Sequence, residues 1–146
     1  MFRAARRDAW GTWSLREARH WAELAASRSA SSPEDVLDIA ELDLVLGNYP
    51  VAEARLRALD PNMSVVEDRS RRSHLLGKLA FETGRPEAAV GLLEQAELDG
   101  ARGPELEWPM TMALCDLGRF DEAERRARIG IDAADLATRL DSLANL

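Results

Sequence analysis

Apolar residues recur along the chain at the three- and four-residue spacing of amphipathic helices, and glycine or proline breaks the pattern at nearly regular intervals. The first clear segment carries Val36, Ile39, Ala40, Leu42 and Leu46 on one helical face. Ser32-Pro33-Glu34-Asp35 precedes it, with serine as the N-cap, proline at the first helical position and acids in the first turn. Gly47 ends this helix, Pro50 opens a return helix through Leu56 and Leu59, and Asp60-Pro61-Asn62 stops that one. A second pair begins near Glu67. Leu75, Leu76, Leu79 and Ala80 form its first apolar face, Gly84 is the turn, and Pro86 leads a return helix with Ala89, Leu92, Leu93 and Ala96 inward. After the loop Asp99-Gly100-Ala101-Arg102-Gly103, Pro104 starts a third pair. Leu106, Met110, Ala113, Leu114 and Leu117 face inward before Gly118, and Ala123, Ala127 and Ile131 after it.

One phrase therefore repeats: Gly47-Asn48-Tyr49, Gly84-Arg85-Pro86 and Gly118-Arg119-Phe120, each followed by a short acidic and alanine-rich stretch. Gly84 to Gly118 and Ala89 to Ala123 are both 34 residues; Gly47 to Gly84 and Ala52 to Ala89 are both 37. Two independent markers keeping step make chance a poor explanation. The ends are less regular. Gly11-Thr12-Trp13 echoes the phrase, Ser14-Leu15-Arg16-Glu17 has the form of a capping box, and Leu15, Ala18, Ala22 and Ala25 make a buried stripe. Leu136, Leu140 and Leu143 make another near the end, expected to cover the open side of the last pair. The resulting division is a degenerate helical unit over 1–31, repeats over 32–66, 67–103 and 104–133, and a capping helix over 134–146, all in one domain.

The repeat resembles the tetratricopeptide repeat, a 34-residue helix–turn–helix unit with a Leu-Gly pair in its first helix and a central alanine in its second. Leu76-Gly77 fills the pair and Ala89 the central slot. Ile39-Ala40 with Ala52, and Met110-Thr111 with Ala123, are looser versions. Ser73 and Ala101 depart from the pattern, and other helical-pair repeats share similar periods. The resemblance implies an all-α fold: a right-handed α-solenoid of antiparallel helix pairs, about three repeats plus terminal helices. One such pair cannot bury both apolar faces, so neighbours must stack.

Composition agrees with a helical chain. There are 24 Ala, 21 Leu and 18 Arg against one Lys, and β-branched residues are scarce, which all but excludes an all-β fold. The net charge of -7 argues against a nucleic-acid partner. It is unevenly spread: 31–68 and 87–122 each carry -7, and 69–86 carries +4. No run is long and apolar enough to span a membrane, the first residues lack a secretory core, and Cys115 is the lone cysteine, so a cytoplasmic location is expected.

In the family, the first helix of each unit lines a groove that grips a peptide or partner helix. Carried over by phase, the groove positions are Leu37, Glu41 and Leu44 in the first unit, Arg71, His74, Lys78 and Phe81 in the second, and Glu105, Trp108 and Met112 in the third. Arg71, His74 and Lys78 share a helical face suited to carboxylates of an acidic ligand. Leu37 and Glu41 stand where the family's carboxylate clamp has Lys and Asn, so that clamp is not expected. Trp10, Trp13, Trp21 and Trp108 are read as core anchors in a chain with few aromatics, and Arg125, Arg126 and Arg128 as a solvated helix face. No metal-ligand spacing, phosphate loop or nucleophile elbow occurs, so no catalytic residue, metal or cofactor is expected. The function expected is a non-enzymatic protein- or peptide-binding scaffold. Its alternative is a regulatory or self-assembling portion of a larger protein or complex that positions an enzyme, with homo-oligomers open as a further form.

Overall fold

The computed structural model describes residues 15–28 and 32–144. These are helical, with no strand among the described residues: α1 (Leu15–Arg28), α2 (Pro33–Val45), α3 (Tyr49–Ala58), α4 (Val66–Glu82), α5 (Pro86–Leu98), α6 (Pro104–Asp116) and α7 (Phe120–Ala144). The chain divides into two compact units, Met1–Asp68 and Arg69–Leu146. The N-terminal Gly11-Thr12-Trp13 phrase, Trp10, Trp13 and Ser14 lie outside the described residues, and Trp21 falls on α1.

In the first unit α2 packs between α1 and α3. Its start follows the sequence signal closely. The Asp35 N–H donates to Ser32 Oγ (3.2 Å) and the Ser32 N–H to Asp35 Oδ2 (3.2 Å), a complete capping box. Leu37, Ile39, Ala40 and Leu44 of α2 join Ala52 and Leu56 of α3 among the buried residues. In the second unit α6 packs against both α5 and α7. The core there is built from Ala80, Ala89, Val90, Leu93, Ala96, Leu106, Met110, Ala113, Leu114 and Ala123.

The three recurring turns share one hydrogen-bond pattern. Gly47, Gly84 and Gly118 hold φ of 77, 72 and 71°, a left-handed conformation that is cheap only for glycine. Each donates back three residues, to Leu44, Phe81 and Cys115 (3.0, 3.0 and 2.9 Å). The next residues, Asn48, Arg85 and Arg119, donate back five, to Asp43, Ala80 and Leu114 (2.8, 2.8 and 2.9 Å). The carbonyls of those same residues accept from Ala52, Ala89 and Ala123, each at 3.0 Å. The last carbonyls of one helix and the first N–H groups of the next are thus satisfied within a few residues.

Gly77 shows why the second helix of a pair needs a small neighbour. A Cβ there would stand 2.7 Å from Leu93 Cγ, and Leu93 is fully buried and has nowhere to move. Ser70 Oγ ties the same two helices by donating to the Ala96 carbonyl at 3.0 Å.

At the C-terminal side the structure departs from expectation. α7 runs unbroken through 133–134, so no separate capping helix begins there. Ile131, read as inward, is 60% exposed, and Leu136 is 58% exposed. Two contrasting substitutions check this account of the close approach. Gly77→Ala is expected to destabilise the chain by about 1–3 kcal/mol through overpacking. Gly91→Ala, on the exposed side of α5 with nothing within 4 Å, is expected to stabilise it by about 0.5–1 kcal/mol. Urea unfolding followed by circular dichroism measures both.

Candidate functional site

The groove positions of the second unit lie on α4 and α6. On α4, Arg71, His74, Lys78 and Phe81 are all half-buried. Phe81 leans on the apolar core and so serves packing more than recognition. On α6, Glu105 is exposed, Met112 half-buried and Trp108 69% exposed. Trp108 is therefore no core anchor, contrary to the sequence reading. It sits one 34-residue period after His74, so the face that shows a polar ring on α4 shows an indole on α6.

A proline inside α6 joins these two helices. Pro109 is the helix's internal proline and has no N–H to offer the Glu105 carbonyl four residues back. That carbonyl instead accepts from His74 Nε2 at 3.0 Å. A carbonyl can only accept, so Nε2 carries the proton. His74 thereby bridges the first helices of two successive pairs and fixes the spacing of the face beside Trp108.

The first-unit positions do not form such a face. Leu37 and Leu44 are buried and belong to the core; Glu41 is half-buried. The reason is that α2 is packed by α1 as well as by α3, so buried residues occupy more than half of its circumference. The same helix encloses a carboxylate. Asp43 is fully buried and accepts from Arg55 Nε (3.0 Å) on Oδ2, while Arg19 Nε lies 3.2 Å from Oδ1. Arg19 also donates to Glu23 at 3.0 Å. It lines an open cleft of about 480 Å³ with Arg16, His20, Glu23, Leu46 and Asn48, and its charge there is already shared between two acids.

No family model, no curated protein and no solved structure matches this chain.

Another buried acid, Glu107 of α6, is only 3% exposed. It lies 3.4 Å from Arg126 of α7, which also donates Nη2–H and Nη1–H to Glu97 of α5 at 2.7 and 2.8 Å. Gly130 makes room for it: a Cβ at that position would be 3.1 Å from Glu107 Cβ. Burial raises the Glu107 carboxyl above the ordinary carboxylate range, with Arg126 opposing. The hydrogen bonds from Arg126 hold Glu97 below that range, against a smaller effect of burial. Arg126 is kept more firmly charged, chiefly by its hydrogen bonds to Glu97. Arg126 is therefore no part of a solvated arginine face, though Arg125 and Arg128 are exposed.

Sequence reasoning missed Glu107 and Asp43 because both are charged residues inside apolar patterns. The available signal was register. Glu107 takes the period position of Ser73, and Gly130 that of Ala96, so a large acid on one helix is matched by the smallest residue on the other. Among the described residues no group of three or more His, Cys, Asp and Glu side chains could hold a metal ion.

The two acids respond to pH in opposite senses. Glu97, lowered in the fold, contributes stability that is complete above the ordinary carboxylate range and fades as pH falls through its lowered value. Glu107, raised in the fold, penalises the fold near neutrality and ceases to do so as pH falls through its raised value. Arg126→Ala strands Glu107 and is expected to destabilise the chain by about 3 kcal/mol at pH 7. The loss is expected to shrink as pH falls through the raised value of Glu107 and the carboxylate takes up a proton, and to be largely repaired at pH 7 by adding Glu107→Gln. Denaturation midpoints of the two variants, followed from pH 7 into the acid range, test this.

Proposed function

We propose that the chain is a tetratricopeptide-like, right-handed α-solenoid acting as a non-enzymatic scaffold for a protein or peptide. The face formed by α4 and α6 is its contact surface. The observation that carries this reading is Trp108, a large aromatic left 69% exposed beside a helix pair whose spacing His74 holds. Exposed, rigidly mounted tryptophans are the residue type that most often dominates binding energy. The three equivalent turns at Gly47, Gly84 and Gly118 support the repeat reading.

Arg71, His74 and Lys78 lie along α4 in the one basic block of an otherwise acidic central chain, which favours an acidic segment with an apolar anchor for Trp108 and Met112. Among the described residues no helix is long and apolar enough to cross a membrane. Trp108→Ala is expected to weaken an acidic peptide selected from a display library by about thirtyfold or more, the scale of a hot-spot residue. Lys78→Glu is expected to weaken it about tenfold, with most of the loss disappearing at high salt. Helix content should be unchanged in both. Fluorescence anisotropy of the labelled peptide gives the affinities; wild-type binding by both variants would remove the face from consideration.

A further inference from the structure

α7 is 25 residues long and its hairpin partner α6 only 13. About twelve residues, roughly 18 Å at 1.5 Å per residue, therefore exceed what α6 can cover. Ile129, Ala133, Leu136, Leu140 and Leu143 follow one another at spacings of four, three, four and three, the seam of a two-stranded coiled coil. This seam is not the side that α7 turns to α6. That side carries Gly130, against Glu107, about 100° round the helix from Ile129. On the seam, Ile129 is 52% and Leu136 58% exposed.

The residues flanking the seam say what covers it. With Ile129 at a d position, the g positions are Asp132 and Arg139 and the e positions are Gly130 and Ala137. A second α7 laid antiparallel, with Ile129 against Leu140 and Ala133 against Leu136, repeats each layer by twofold symmetry. In that register Asp132 of each copy stands at the position facing Arg139 of the other, so opposite charges meet twice along one flank. A parallel pairing would instead set each charged g position against a Gly or Ala and gain nothing from the charges. We infer that the chain pairs with a second copy of itself through the C-terminal half of α7, antiparallel, with Asp132 and Arg139 selecting the register.

The pairing uses a surface separate from the α4–α6 face and stands whether or not that face binds a peptide. Two heptads fall short of the interfaces of about 1,200–2,000 Å² that hold stable dimers. The expected dissociation constant is on the order of 10–100 μM. Sedimentation equilibrium of the full chain should then show the mass rising with concentration from 16.2 kDa toward twice that value. Asp132→Arg and Arg139→Asp each juxtapose like charges at both ends of the seam and should weaken pairing at least tenfold, as should Leu136→Asp. Mixing Asp132→Arg with Arg139→Asp in equal amounts restores opposite charges at both ends, so the mixture should regain the dimer mass that neither variant shows alone. That recovery also shows that both variants are folded. A wild type that stays monomeric up to about 1 mM would overturn the inference. So would dimerisation that survives Leu136→Asp, or a mixture that stays monomeric while the wild type pairs.

Discussion

Each first helix of a pair ends with carbonyls that have no partner, and the chain must satisfy them while reversing direction. Glycine in the left-handed region does both at Gly47, Gly84 and Gly118, and the following residue closes the old helix with its N–H and caps the new one with its carbonyl. The turn is so short that the two helices leave it in contact. Small residues then become obligatory where their axes come close: Ala52, Ala89 and Ala123 just after the turn, and Gly77 where Leu93 crosses. The packing of the helices, the burial of their apolar faces and the exposure of what remains all follow from that reversal.

The same closeness explains the charges that the fold tolerates inside. An acid can be buried only where cations reach it. Asp43 meets Arg55 and Arg19, and Glu107 meets Arg126, which is shared with Glu97. Both clusters draw their partners from different helices, so each also specifies which helices are neighbours. His74 adds a tie to a backbone acceptor, satisfying the carbonyl that Pro109 leaves open. The consequence for function is that the α4–α6 face is held by a polar tie as well as by the core, and Trp108 is presented on a fixed support.

The helices were legible because their signals are local. Pro33, Pro50, Pro86 and Pro104 mark starts, and Gly47, Gly84 and Gly118 mark stops, within a residue or two of the observed ends. Most of the buried set was legible too, since Ile39, Leu56, Leu76, Leu93 and Met110 sit on apolar stripes of helical period. The candidate face was legible only in part. Phase located His74 and Trp108, but it also nominated Leu37 and Leu44, which are buried because a further helix, α1, packs on α2. Ile131 was misjudged for the converse reason, since among the described helices only α6 packs on α7, and Trp108 because it stands on a side of α6 that its neighbours leave uncovered; a stripe pattern does not say which sides will be met.

The order and type of elements, the turn chemistry and the repeat interval were set by the amino-acid sequence alone, because glycine, proline and helical periodicity act over a few residues. Which apolar residues stay in water, which acids are enclosed, and that Arg126 turns inward while Arg125 and Arg128 remain outside were decided only when the helices met. Those outcomes depend on distances between groups up to 36 residues apart in the chain, such as Arg19 and Arg55, which share Asp43, and no local pattern encodes them.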